Sequence, residues 1–464
     1  MVKDISRKGD FTEGKILKKL IFFAIPMAIA ALVQQLFNTA DVAIVGQFGG
    51  SAYQAAVGAT SSTISLIVNF FLGFSIAVNV VMANAQGAKD EERKLRTVHT
   101  GIALSFVGGV IVLLIGLFTS KFILQLIKTP EDIIEYAALY LKIYFIGVPA
   151  QLIYNFAAAS LRAVGESKRP LYYLSIAGIV NVIINFITVA IFKWHVVGVA
   201  LGTVFANYLS AIWVLFDLKA GKRGISFSFR KVCFHKKELN SILKIGFPLG
   251  LSSCITAIAM LLIQSNANAF GPAAIAGKTI ASNLEDITAT FSNAISNGVV
   301  TFVAQNIGAK KEKRVHRIIG IGLASVAVWL TFTAIILIVF GKYICGIYNT
   351  DPEVISFAMR RIYIMEIWYV VICFSCAYGG ALRGMGHTLF TTLTNLICIT
   401  GMTIIYSSFI YPLLPQTFEL VYIIYPIIWL LAGLVQMAGF YIIASKKGYF
   451  KKEKSLSIEN EQTI

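Results

Sequence analysis

Charge is scarce in this chain. Only 14% of its 464 residues are Asp, Glu, Lys or Arg, while 57% are hydrophobic. A soluble domain of that length cannot hide so much apolar surface, so the water-filled interior of a cell is excluded as its solvent. Acids are scarcer still, 23 against 40 Lys and Arg, for a net charge of +17. That excess does not mark a nucleic-acid binder, because the basic residues lie in short loops between hydrophobic runs, where they act as topogenic charge. Strict apolar/polar alternation in short segments is missing, which argues against a β-barrel. No GxxxxGK[ST] loop occurs, which argues against direct ATP drive by this chain. The five histidines fall at helix ends or loops and disfavour a histidine metal site. The six cysteines are scattered. The one CxxC, Cys373 and Cys376, sits inside a hydrophobic run and reads as small packing residues. No cleavable signal peptide is evident: residues 1–15 are polar and mixed in charge, and the run that follows is too long for an h-region.

Long apolar runs are what the chain does have. Twelve reach or exceed the ~20 residues that span a bilayer. They cover about 16–48, 52–84, 95–118, 132–162, 170–192, 196–218, 240–270, 274–306, 316–341, 353–383, 389–411 and 419–445. Pro26, Pro149 and Pro248 lie inside spans and are expected kinks. Basic residues alternate along the series. One set of loops carries clusters at 3–19, 89–96, 162–169, 219–237, 310–317, 383 and 446–454; the other set holds only Lys121, Lys128, Lys193 and Lys342. By the positive-inside rule both termini are expected in the cytoplasm, with the chain multi-pass in the cell membrane.

The sequence repeats itself. Pro26 in FAIPMAIA is answered 222 residues on by Pro248 in IGFPLGLS, and Phe48-Gly49-Gly50 by Phe270-Gly271-Pro272. Ala85-Gln86-Gly87-Ala88-Lys89 is answered by Ala304-Gln305 and Gly308-Ala309-Lys310, and Leu161-Arg162-Ala163-Val164-Gly165 by Leu382-Arg383-Gly384-Met385-Gly386. Two homologous six-helix halves of the same orientation follow, an all-α membrane fold with a parallel repeat. The expected division is a segment 1–15, an N-lobe 16–220, a basic linker 221–238, a C-lobe 239–446 and a tail 447–464. Two lobes with one interface suit alternating access by rocking.

Asp41 is the residue that this environment tolerates least. A carboxylate in a span costs roughly 2.5–3.5 kcal/mol on insertion scales. It lies seven residues before the end of span 1 at Phe48, about 10 Å below the exit at 1.5 Å per residue. Asn185 lies seven residues before the end of span 5, with Asn181 one helical turn below, and Thr203 lies seven residues into span 6. Carboxylate, amide and hydroxyl oxygens at one depth suit a hard cation or a titrating acid. The bland alternative is that Asn and Thr join helices by hydrogen bonds. The second half offers Glu285, Asp286, Glu366 and Gln264 as a second coupling site. There Lys278 is expected to offset Glu285, and Arg360 and Arg361 to snorkel outward, leaving Glu366 on a cavity. Asp41's counterpart by offset is Ile263, so the halves are chemically unequal. Gln34, Phe37, Tyr154 and Asn155 are expected along the substrate cavity, where aromatic rings stack on flat organic cations.

The stretch TEGKILKKLIFFAIPMAIAALVQQLFNTADVAIVGQFGG, from Thr12 to Gly50, resembles the opening of multidrug and toxic compound extrusion (MATE) transporters. TFVAQNIGAKK at 301–311 is similar to that family's span 8 ending, and the paired LRAVG and LRGMG to its span 4 and span 10 ends. The resemblance covers both halves and is nearest to the bacterial and archaeal branch resembling DNA-damage-inducible protein F. It implies a non-enzymatic antiporter that exports amphipathic, cationic compounds in exchange for H⁺ or Na⁺, without a bound cofactor. Its expected partners are small organic molecules and the lipid bilayer, not nucleic acid, and its expected state is a monomer. In that branch the N-lobe site is an Asp in span 1, an Asn then an Asp in span 5, and a Thr in span 6. These fall on Asp41, Asn181, Asn185 and Thr203. Asn185 departs from the pattern by replacing an acid, which leaves one carboxylate where the branch has two. The rival expectation is a lipid-linked oligosaccharide flippase of the same superfamily, against which stands the small number of basic residues within spans.

Overall fold

In the computed structural model, which describes residues 9–221, 225 and 227–447, twelve helical segments follow one another. They are α1 (Ile16–Gly49), α2 (Ser51–Gly87), α3 (Glu91–Leu126), α4 (Glu131–Ala163), α5 (Lys168–Ile191), α6 (His195–Lys219), α7 (Lys236–Asn268), α8 (Pro272–Gly308), α9 (Glu312–Tyr348), α10 (Pro352–Gly384, in two limbs), α11 (Thr388–Leu413) and α12 (Phe418–Lys446). No strand occurs among the described residues. Of the expected segments, 1–15, 221–238 and 447–464 fall wholly or partly outside them, and with them Lys3, Arg7, Lys8, Lys222, Arg223, Lys451, Lys452 and Lys454. Among the described residues, nine helices are individually long and apolar enough to cross a bilayer, ten if the two limbs of α10 form one span. α8 has the length, 37 residues, but is more polar, with Lys278, Glu285 and Asp286 in its first half, while α7, 33 residues long, carries the uncharged run 245–268.

Helices are the only open-ended way to pair every backbone N–H and C=O inside lipid. The sequence starts and stops them with ordinary devices. Asp90 and Asp351 accept the N–H groups of Arg93 and Glu353 at 2.9 Å each, capping α3 and α10. The turns after α1 and α4 use Gly50 (φ 108°) and Gly165 (φ 86°); those after α7 and α10 use Gly271 (φ 87°) and Gly386 (φ 81°). Lys89 and Lys310 take the same left-handed conformation after α2 and α8 (φ 57° and 55°). The repeat read in the sequence is therefore written into the backbone. Outside, the helices present large apolar groups; Phe118, Ile347 and Leu413 are each more than 80% exposed. Such a surface faces acyl chains, not water.

The prolines do not decide where helices break. α1, α4 and α7 continue through Pro26, Pro149 and Pro248. The sharp bend, 47°, comes in α10 between Tyr369 and Ile372, where neither proline nor glycine stands. A π-helical turn, Ser375–Gly379, follows it.

The lobes meet where α2 packs on α7 and α8, and α1 on α8. Small residues allow the approach: Gly87 lies on the backbone of Gln305, Gly308 on that of Asn84, and Gly73 beside Gly246 and Gly250. At the terminal end of the bundle, where α1 begins and α12 ends, the seam is stitched by polar bonds. Gln305 accepts the Phe11 N–H at 2.9 Å and donates to Ala163 O at 2.8 Å; Asn306 donates to Phe11 O at 3.2 Å. Phe11 stacks on Phe302 with ring centroids 3.9 Å apart. Further in, Thr301 donates to Asn79 Oδ1 at 2.9 Å. Toward the opposite, distal end the same helices expose Gln35, Asn38, Ser61, Ser62, Asn283, Asp286 and Asn293. Polar side chains within spans avoid lipid, so these exposed groups imply a cleft between the lobes at the distal end, opposite the packed terminal end.

Gly87→Leu is expected to force the two helix backbones apart and to lower stability by about 1–3 kcal/mol, read as an earlier thermal unfolding of purified protein. Gly320→Ala, with nothing within 4 Å of the added carbon, is the control and is expected to leave the midpoint unchanged or slightly higher.

Candidate functional site

Three elements of the N-lobe converge on one carboxylate. α1 brings Asp41, 7% exposed, against α5 and α6. Asn185 donates its amide to Asp41 Oδ1 at 2.6 Å. Thr203 Oγ1 lies 3.2 Å from Asp41 Oδ2 and 3.0 Å from Val199 O. Turned so that both of its ends are satisfied, the Asn181 amide donates to Asp41 Oδ1 at 2.9 Å and accepts the Thr203 N–H at 3.1 Å. The four residues named from equal depth in the sequence thus form one contiguous cluster. No ion pair to Asp41 occurs among the described residues.

Local sequence explains why α5 and α6 can come this close. Asn185 is the last α-helical residue of α5, which continues as a π-helix over Phe186–Ile191. Wide turns of this kind are frequent at functional sites because they re-aim side chains. Thr188 donates to Ile184 O at 2.8 Å, taking up a carbonyl at the transition. Gly202 lies under Asn185, and any Cβ there would collide with the side-chain oxygen Asn185 Oδ1. Gly178 does the same for the Phe37 ring, letting α1 seat on α5. Neither glycine was singled out in the sequence; the usable signal was a glycine directly before Thr203 in a helix that carries polar residues.

The chemistry follows from counting protons. A hydroxyl has one hydrogen, so Thr203 serves either Val199 O or Asp41 Oδ2, not both. If it serves Val199, two acceptors face each other across 3.2 Å. A proton on Asp41 resolves that clash, since the acid then donates to Thr203. Asn185 Oδ1 is buried and has no partner.

The C-lobe solves a different problem. Arg361 pairs with Glu285 in a bidentate bridge, Nε–Oε1 2.9 Å and Nη2–Oε2 2.6 Å, both side chains under 10% exposed. The guanidinium also lies 4.7 Å from the centre of the Tyr422 ring. The expected offset of Glu285 by Lys278 and the outward snorkelling of Arg361 therefore give way to a buried pair, and Arg360 bonds to Glu419. Glu366 is 1% exposed and neither of its carboxyl oxygens has a partner. Asp286 is exposed, and Gln264 donates to Asn268 at 2.6 Å, so neither joins the Glu285 pair.

A family model described as MatE matches residues 26–187 and 248–409, one match per lobe, each opening on the repeated proline. The chain belongs to the MatE family. The family is one of membrane transporters, not enzymes. The probable multidrug resistance protein YpnP of Bacillus subtilis is 29% identical over 397 residues, covering 84% of this chain and 87% of that one. The multidrug export protein MepA of Staphylococcus saprophyticus is 22% identical over 403 residues, covering 86% and 89%. Among solved structures, a MATE crystal structure in the bent conformation superposes with a TM-score of 0.87 at 18% identity, covering 96% of this chain and 99% of that chain. A multidrug resistance MATE family transporter of the MOP superfamily in an outward-facing conformation gives 0.85 at 19%, with the same coverage. These likenesses support the two-lobed twelve-helix architecture.

Within this MatE chain the four residues expected along a substrate cavity part company. Gln34 and Phe37 are half-buried, and the Phe37 ring lies over Gly178 of α5 within the N-lobe. Tyr154 is buried in the N-lobe core and donates to Pro170 O at 2.8 Å, so its ring is a packing element and not an open stacking surface. Asn155 is half-buried, and its backbone carbonyl accepts from Ser75 at 2.9 Å.

Removing one member of the C-lobe ion pair strands the other. Arg361→Met is expected to destabilise the protein by about 3–5 kcal/mol, whereas the double substitution Glu285→Gln with Arg361→Met recovers much of that loss, as measured by the unfolding midpoint of each variant.

Proposed function

We propose that this protein exports amphipathic, cationic organic compounds in exchange for inward protons, by alternating access of the two lobes. The observation that carries the reading is the solitary buried Asp41 held only by neutral groups: two amides and one hydroxyl. An ionised carboxylate there has no counter-charge, so the cluster is stable in two ways, with a proton bound or with the site open to a cation. Proton binding completes the hydrogen-bond set through Thr203, draws α1 onto α5 and α6, and removes the negative charge that retains a cationic substrate in the cleft. Substrate is then released at the distal end, which is taken as the outside, with both termini in the cytoplasm and the chain in the plasma membrane as a monomer. A ligand shifts the equilibrium between the two openings only through unequal affinity for them, and an acid buried in one state and wetted in the other supplies that inequality. Multidrug export is the activity in the name of MepA, and multidrug resistance is what the name of YpnP carries.

Sodium is the second reading, and one observation bears on it. With the Asn181 amide turned the other way, its oxygen faces Asp41 Oδ1 at 2.9 Å, an arrangement that needs a cation nearby. The amide donors from Asn185 and Asn181 favour the proton, because N–H groups aimed at a carboxylate repel a metal ion. Glu366, buried with both oxygens free, is the group in the C-lobe able to couple a second ion, since Glu285 is already neutralised by Arg361.

Inverted vesicles carrying the protein are expected to move a cationic dye on an imposed pH gradient and not on a sodium gradient. Asp41→Asn should abolish that exchange while leaving folded protein in the membrane; full proton-driven transport by this variant would refute the role. Glu366→Gln should leave dye binding intact, and a change in protons moved per dye would place a second coupling site there.

A further inference from the structure

The two lobes carry the same Leu-Arg-x-x-Gly motif at the ends of α4 and α10, yet its arginines are treated differently. Arg383 donates to Ser296 Oγ at 2.9 Å and to Gly379 O at 3.3 Å. The side chain of its counterpart Arg162 makes no hydrogen bond or ion pair among the described residues. The scaffolding around them is otherwise alike: Ser75 donates to Asn155 O and Ser296 to Cys376 O, each 80 residues along the chain, at 2.9 and 2.8 Å.

Arg162 lines a cavity of about 140 Å³ in the seam between the lobes. Ser75 and Asn79 contribute from α2, Met27 from α1, and Asn297 and Thr301 from α8. No carboxylate lines it. Ser75, Asn79 and Thr301 have committed their hydrogen bonds to other partners. Arg162 and Asn297 have not, and they belong to opposite lobes. The Arg162 guanidinium is half-buried in the seam, and the cavity lining offers it no carboxylate to neutralise it. The space holds several water-sized bodies, ample for a compact anion with part of its hydration.

We propose that Arg162 and Asn297 form a site for a small anion, of the halide, phosphate or carboxylate class, that ties the two lobes together while the terminal end is closed. Bound there, an anion accepts from the N-lobe guanidinium and the C-lobe amide at once. Opening the seam separates the two donors, so the anion favours the closed seam. Met27 and Asp41 are 14 residues apart on one helix, about 20 Å, so the site is separate from the carboxylate cluster and stands whichever ion drives transport.

The test uses full-length protein in phosphatidylcholine nanodiscs at constant ionic strength. Gluconate is replaced in turn by chloride, phosphate and acetate, and a parallel arm adds phosphatidylglycerol at fixed gluconate. The expected result is a saturable rise in unfolding midpoint of about 2–4 °C with at least one small anion, lost in both Arg162→Gln and Asn297→Ala and kept in Arg383→Gln. A rise confined to the phosphatidylglycerol arm, with the same variant pattern, assigns the site to a lipid phosphate. If Arg162→Gln does not fold, Asn297→Ala alone decides, with the anion response expected to be lost. No saturable response in the wild type, or an equal one in Asn297→Ala, overturns the proposal.

Discussion

A carboxylate buried without a cation beside it is the constraint around which the N-lobe is arranged. In lipid a charge is tolerated only where the protein supplies the solvation that water would have supplied. Here the substitutes are dipoles: two amides from one helix and a hydroxyl from the next, brought to a single oxygen pair. Holding them there requires a π-helical turn directly after Asn185 and a glycine at 202 beneath it. Those features are local departures from ideal helix, and they occur where a carboxylate has to be met from two neighbouring helices. The C-lobe, lacking an acid at the corresponding place, spends its charge elsewhere. It closes Glu285 onto Arg361 and leaves Glu366 buried and unpaired.

The seam between lobes has the opposite character. It is made of glycines pressed on backbone, a side-chain bond between Asn79 and Thr301, and a clasp in which Gln305 and Asn306 hold Phe11. Close packing of small residues in lipid rests on dispersion and a few polar bonds, with no hydrophobic gain from excluding tails. Such an interface can be taken apart without exposing a large apolar surface to water, which suits two bodies that rock against each other. An uncompensated arginine in that seam is the feature most at odds with a purely mechanical joint.

Much of this was legible beforehand. Twelve runs of bilayer length, alternation of basic loops and two matching prolines announce a two-lobed helical membrane protein, because the bilayer leaves helices few other options. The grouping of Asp41, Asn181, Asn185 and Thr203 was also readable, since helices that start and end at the same surfaces put residues counted from those surfaces at equal depth. Other features were not. Tyr154 reads as a stacking aromatic and is core; Arg361 reads as a snorkelling cation and is paired; α10 bends where no proline stands. Counting along a helix gives depth but not azimuth, and azimuth decides whether a side chain meets a cleft, a neighbour or lipid.

The sequence by itself determined the membrane, the number and pairing of the helices, and the level at which the polar groups lie, because hydropathy and the 1.5 Å rise per residue are properties of one chain segment at a time. Only the tertiary structure decided which of those groups touch. It chose Arg361 for Glu285 and left Arg162 alone beside Asn297, since rotation about each helix axis and the spacing of neighbouring helices are set by packing between segments, which no single segment encodes.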